Sequence, residues 1–206
     1  ITVPVSILGL SFLINAFNTA DGANGLLGMV CVFALLALAQ QSSIPHGNIL
    51  LICAAGIMVF LVLNIGLGNV FMGDGGAYFL GAVVGIALID SSNAGANLWW
   101  LLCLVFYPHV DLLWSMIRRI KAGMSPMGAD NEHLHNLLFA RLRPVCKNDV
   151  RANSITGLTI AVVFGGIPLA MTYLNISAWG TLYSVMWVSY VATWLWLRPK
   201  VVKRAP

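Results

Sequence analysis

Asn15, Asn18 and Asp21 recur at every third position of the stretch INAFNTADGANG, Ile14 to Gly25, with Asn24 and Gly25 closing it. On a helix this spacing traces a slowly drifting polar stripe along one side. Gly22 and Gly25 then let the backbone turn sharply or approach a ligand closely. A second cluster, GNVFMGDGGAYFLG, sets Asp74 among Gly73, Gly75 and Gly76 just ahead of an apolar run. There the aspartate either caps a helix or lets a phosphate or hydrated cation come close. Mg²⁺ takes only one or two carboxylates plus substrate oxygens, so Asp21 and Asp74 on one face would make a credible divalent site. A third cluster, SPMGADNEHLHNLL, carries His133, His135 and Asn136. Two residues apart, the histidines share a side only on an extended segment, so joint service to one ligand predicts a non-helical 130–135.

Each cluster also has a plainer reading. The asparagine stripe serves as a helix end glued to neighbouring helices by amides, Asp74 as a cap, and the histidines as two solvated loop residues. A zinc site joining the histidines to Cys146 has suitable ligand types but no recognisable spacing. Asp90 reads as a solvated carboxylate at a span end, and Asp111, beside His109, first as a buried pair or a helix–helix contact and second as a residue of the cleft.

The elements that must position these clusters are membrane helices. The chain is 59% hydrophobic and 9% charged, with mean hydropathy +0.87, far from a soluble domain's roughly 25% charged residues. Apolar runs near residues 1–17, 25–39, 49–67, 75–89, 97–116, 155–174 and 178–197 predict an all-α, polytopic transmembrane bundle of about seven spans. The second and fourth runs are short, and their helices are expected to extend into the polar motifs or to sit where the bilayer is thinned. The first seventeen residues lack a basic leader and a cleavage site and read as a span. All eleven Lys and Arg fall within Arg118–Arg151 and Arg198–Arg204. The positive-inside rule makes both segments cytoplasmic, the first a basic loop at 118–151. Counting back, the 90–97 and 40–48 connections are external, and all three clusters face the cytoplasm. The net charge of +4 thus reads as topology and attraction to anionic lipid or phosphorylated substrates. No basic patch interleaved with aromatics points to nucleic acid. Four cysteines, three of them in apolar runs, suggest no disulfide framework. Residues 1–206 read as a single membrane domain, and the start at Ile1 suggests that sequence precedes it.

In type and order the clusters resemble the polyprenyl-phosphate N-acetylhexosamine-1-phosphate transferase family. Its Asn-x-x-Asn-x-x-Asp-Gly-x-Asp-Gly pattern matches Asn15 to Gly25 except that Asn24 replaces the second aspartate. Its Phe-Met-Gly-Asp-x-Gly pattern matches Phe71 to Gly76, and its His-x-His-His motif after Ser-Pro appears as HLHN after Ser125-Pro126, with Asn136 last. The resemblance implies the C-terminal portion of a longer bacterial inner-membrane enzyme with a cytoplasmic site. That enzyme moves a sugar 1-phosphate from a UDP-sugar to polyprenyl phosphate with release of UMP and so starts cell-envelope glycan or O-antigen synthesis. Mg²⁺, or Mn²⁺ in its place, would be held by Asp74 and Asp21, the catalytic pair. Asn15, Asn18, Asn24, His133, His135 and Asn136 would bind substrate, and a homodimer is among the expected partners. The family's upstream Asp-Asp pair has no counterpart here, and Asn24 and Asn136 are neutral. The alternative is therefore an inactive member that binds lipid phosphate or nucleotide-sugar without turnover. A small-solute transporter explains polar residues in spans as well, but predicts them near the midplane.

Overall fold

The computed structural model describes residues 2–40, 47–128 and 130–202. Every regular element among them is helical: α1 Val3–Ala20, α2 Leu26–Gln40, α3 Gly47–Leu67, α4 Gly73–Asn93, α5 Leu98–Leu104, α6 Phe106–Lys121, α7 Leu134–Cys146, α8 Asp149–Ala161, a π-helical turn Val162–Gly166, α9 Ile167–Tyr173 and α10 Trp179–Val202. The residues expected in the 41–46 connection and the basic Lys203 and Arg204 lie outside the described residues.

The helix α2 is apolar all round and almost wholly buried, from Leu26 to Leu38, as a helix without a polar face must be. Helices α3, α4 and α8 pack around it, while α1 lies along α4 and α6. The α1–α4 contact is close because Gly81 has no side chain: a Cβ there would sit 3.0 Å from the Cα of Ile14. Small residues allow this approach where lipid offers no hydrophobic drive to helix pairing. One hydrophobic cluster runs through the molecule from Leu13 to Leu197.

Among the described residues, four helices, or helices joined end to end, are long and apolar enough to cross a membrane: Val3–Ala20, Gly47–Leu67, Gly73–Asn93 and Asp149–Tyr173. A fifth crossing is available if α5 and α6 count as one bent span. The chain is a multi-pass membrane protein, and the expected count of about seven spans is not confirmed among the described residues. The physical reasons are specific. With 15 residues, α2 is about 22 Å long, short of the ~30 Å hydrocarbon core. The run at 97–116 is not one helix, because α5 and α6 meet at 84°. Pro108 has no N–H for the Leu104 carbonyl, and its ring would press on it, so the helix breaks at Val105 (φ −116°, ψ 27°). Pro168 acts more gently, and the chain widens into the π-turn before it. The fourth helix does extend into both flanking polar segments, as expected, reaching 21 residues.

The basic segment 118–151 is not a loop throughout. It comprises the end of α6, an irregular stretch to His133, all of α7, and the start of α8. Helix α7 ends at Cys146, just past Pro144, with Lys147 left-handed at φ 55°.

Candidate active site

The three clusters converge on two adjoining cavities at the end of the bundle where α6 carries its basic last turn. The larger, about 680 Å³, is lined by Asn15 and Thr19 of α1, Ser115 of α6, and Asp130, His133, His135 and Asn136 of the histidine segment. The smaller, about 250 Å³, is lined by Asp21, Asn24, Asn64, Asp74 and Asn153. Gly22 lines both. It can do so because it lacks a side chain: a Cβ on Gly22 would collide with His135 Nε2. The loop after α1 therefore presses its backbone against the histidine ring, with Asp21 on one side and the larger cleft on the other.

The histidines are not solvated loop residues. His133 is 8% and His135 3% exposed, and their rings stack with centroids 5.5 Å apart and planes 2° from parallel. His133 is the extended residue before α7 (φ −62°, ψ 147°), whereas His135 already belongs to its first turn. The expected non-helical stretch thus ends at 133, and the two side chains come together across the helix start. His133 Nδ1 pairs with Asp111 Oδ2 at 2.6 Å. Asp111 Oδ1 also accepts the Leu134 N–H at 3.1 Å and the Tyr190 hydroxyl at 2.6 Å. This arrangement keeps Nε2 as the His133 atom available to a ligand in the cleft. Burial opposes charge on His133, but the hydrogen bond and the charge of Asp111, with Asp130 behind, hold its pKa above the ordinary histidine value. Burial dominates at His135 and lowers it to about 4, so that ring is neutral, with Tyr107 OH and its Nδ1 at 2.8 Å.

Asp111 is the functional residue that sequence reasoning undervalued. The expected His109–Asp111 pair does not form: His109 bonds to the Val105 carbonyl at 2.7 Å and to Tyr183 OH at 3.0 Å. The available signal was a carboxylate in an apolar run, which must find a partner of opposite charge, and a nearby motif with two histidines. Asn64 was missed as well. It is 5% exposed, accepts the Gly25 N–H at 2.6 Å and donates to the Val70 carbonyl at 2.7 Å, tying the first motif to the second.

The carboxylate side is built differently. Asp74 lies within the first turn of α4 and is exposed, and the helix N-cap is Met72, so the expected capping role is not taken. A helix N-terminus favours an anion at that position all the same. Asp21 follows the last residue of α1, and burial, then the charge of Asp74, raises its pKa to about 6. The two acids, in a cavity also lined by Asn24, Asn64 and Asn153, offer hard oxygen donors of the kind Mg²⁺ accepts, while the side-chain oxygens of Asn64 and Asn153 already accept backbone N–H groups. No cluster of three or more His, Cys, Asp or Glu suited to a metal occurs among the described residues, so such an ion would take its remaining ligands from substrate and water. Asn24 is buried at 4%, and its backbone N–H donates to Asn153 Oδ1 at 3.2 Å. Asn18 lines neither cavity, and its amide donates to Tyr78 OH at 3.2 Å. Asn15 is exposed and donates to the Ser11 carbonyl. Arg118 is engaged internally, with Asp130 at 2.5 Å and Glu132 at 2.7 Å, and Arg143 pairs with Asp149.

Residues 1–92 match the family model described as glycosyl transferase family 4. The resemblance read from the motifs is borne out as a similarity over part of the chain. Undecaprenyl-phosphate alpha-N-acetylglucosaminyl 1-phosphate transferase of Yersinia pestis is 34% identical over 143 residues, covering 61% of this chain and 38% of that protein. The protein of the same description in Escherichia coli K12 is 34% identical over 61% of this chain and 37% of its own length. That of Thermotoga maritima is 26% identical over 69% of this chain and 48% of its own length. The chain therefore spans less than half the length of these relatives. No solved structure matches it significantly.

Proposed function

We propose that this chain carries a phosphosugar-transfer site for a polyprenyl phosphate acceptor and a UDP-N-acetylhexosamine donor. The observation that carries the reading is the convergence at Gly22 of the two carboxylates with the paired histidines. A lipid phosphate oxygen attacks the phosphorus bonded to the sugar, the new P–O bond forms, the phosphoanhydride bond breaks, and UMP leaves. Phosphoryl transfer asks the protein mainly for positioning and charge neutralisation. Asp74 and Asp21 would hold Mg²⁺, which supplies charge neutralisation on the phosphates. His133, held by Asp111 with Nε2 toward the cleft, donates to a phosphate oxygen. His135 keeps the Asp21–Gly22 loop in register, and the amides of Asn15 and Asn136 hydrogen-bond the donor's polar groups. The grouping of Arg118, Arg119 and Lys121 at the end of α6, beside the cleft, supports a cytoplasmic site in a bacterial inner membrane.

Asn24 favours the second reading, a member that binds without turnover, because a neutral amide stands where the family pattern has an acid. One assay separates the two. The protein is purified in detergent and mixed with undecaprenyl phosphate, UDP-N-acetylglucosamine and Mg²⁺, and UMP and lipid-linked product are quantified alongside donor binding. Product formation that Asp74→Asn abolishes supports transfer. Donor binding without product supports the second reading, and neither binding nor product overturns both.

A further inference from the structure

Tyr190, Trp194 and Arg198 stand four residues apart on α10 and so line one face of the helix. Each reaches the segment that carries the histidines. Tyr190 OH donates to Asp111 Oδ1 at 2.6 Å, beside the oxygen that holds His133. Trp194 Nε1 donates at 2.7 Å to the carbonyl of Glu132, the residue before His133. Arg198 pairs with the Glu132 carboxylate at 3.2 Å. The Trp194 ring also bears the guanidinium groups of Arg118 and Arg198, 4.7 and 5.0 Å from its centroid. Packing alone does not account for this pattern. Tyr190 and Trp194 are 1% and 2% exposed, and a buried hydroxyl or indole N–H must find an acceptor. Both find it in the groups on either side of His133.

We propose that the Tyr190, Trp194 and Arg198 stripe is a positioning element for His133, fixing Asp111 and the Glu132 backbone so that Nε2 of the histidine faces the cleft. The family match at 1–92 does not extend to α10, and none of the three sequence motifs includes it. The substrate consequence rests on the phosphosugar-transfer reading, whereas the geometric consequence stands without it. Asp111 divides two oxygens among three donors. When the Tyr190 hydroxyl is removed, the carboxylate is free to turn, and the His133 ring loses its fixed orientation.

The test uses the full chain in detergent with ¹⁵N-labelled histidine. Wild-type His133, assigned by its loss in His133→Gln, is expected to show a far-downfield, slowly exchanging Nδ1 proton. Tyr190→Phe and Trp194→Phe, which keep an aromatic ring and remove one polar group each, should move and broaden that signal. The His109 ring signal, held by the Val105 carbonyl and by Tyr183 about two turns before Tyr190 on α10, should stay in place and so report an intact fold. If Trp194→Phe disturbs both signals, Tyr190→Phe decides, since it removes a single oxygen. In the transfer assay the same variants should raise KM for UDP-N-acetylglucosamine about tenfold with a smaller change in kcat, the size of one lost charge-assisted hydrogen bond. An unchanged His133 signal in Tyr190→Phe overturns the proposal. Absence of transfer by the wild type would sink the transfer reading, while the histidine spectra would still decide for or against the stripe.

Discussion

The two halves of the candidate site are built on opposite plans. On the histidine side, Asp111 is 1% exposed and takes three donors, His133 and His135 stack, and Tyr107 and Tyr190 complete the contacts. On the carboxylate side, Asp74 is exposed at a helix start and Asp21 carries a pKa raised by burial and by the neighbouring Asp74. Buried polar networks are stable when their members are satisfied, and here the Asp111 carboxylate, both histidine Nδ1 atoms and the two tyrosine hydroxyls are paired within the protein, with His133 Nε2 left for a ligand. The carboxylate half brings two acids into one cavity, and among the described residues neither takes part in the ion pairs of the histidine half. On the proposed reading, a site divided in this way would separate a fixed positioning wall from an opposite wall that a cation and substrate phosphates would complete.

Removing the centre of the histidine network should have the largest effect on stability. Asp111→Ala strands a buried imidazole, a buried tyrosine hydroxyl and a backbone N–H, and should cost about 3–5 kcal/mol, read as a lowered midpoint of thermal unfolding in detergent. Asp74→Asn should leave stability within about 0.5 kcal/mol of wild type, as for other exposed positions. Equal losses from both substitutions would erase the distinction between the halves.

Gly22 joins the halves, so Gly22→Ala should damage both. The added methyl meets the His135 ring, and forcing it in should cost about 1–3 kcal/mol and change donor binding together with stability. A variant with wild-type stability and binding would show that the loop and the ring are not in tight contact.

A pH scan sharpens the histidine side further. The folded pKa of His135 is lowered to about 4, so the fold favours the neutral ring. That contribution is full above the ordinary histidine value near 6.5 and is lost as pH falls toward 4. Asp21, with its pKa raised to about 6, pulls the opposite way, gaining relative stability as it protonates. Comparing wild type with His135→Gln cancels the Asp21 contribution. The difference in acid destabilisation between pH 6.5 and 4 should be on the order of 3 kcal/mol. Superimposable pH profiles would place His135 in contact with solvent. The smallest effect is expected at Arg143→Ala, which breaks a pair 61% exposed on each side and should shift stability by less than about 0.5 kcal/mol.

The same division separates what the sequence disclosed from what it concealed. The carboxylate half was legible because its residues are close in the chain and lie in short, glycine-rich motifs: Asn15 to Gly25 and Phe71 to Gly76. The helical class was legible from the apolar runs, and the extension of α4 into its polar flanks from its shortness. The break at Val105 was not read, although Pro108 was its visible cause, because the run around it is continuously apolar. The histidine half was read as His133, His135 and Asn136 without the groups that hold them. Its partners Asp111, Tyr190 and Trp194 lie 22, 57 and 61 positions from His133, and local periodicity carries no information about contacts of that range. Asn64 was hidden for the same reason, as one amide in a span whose meaning depends on where two loops meet.

If the two walls divide the work in this way, the carboxylate half receives the cation and the histidine half does not. Mn²⁺ binding followed by electron paramagnetic resonance on the purified chain, with and without UDP-N-acetylglucosamine, tests this most directly. The expected result is Mn²⁺ binding that the nucleotide-sugar strengthens and that Asp74→Asn reduces at least about tenfold through loss of a charged oxygen ligand. His133→Gln should leave it within about twofold in the absence of nucleotide-sugar. Binding that survives Asp74→Asn unchanged, or that vanishes with His133→Gln, would contradict the division.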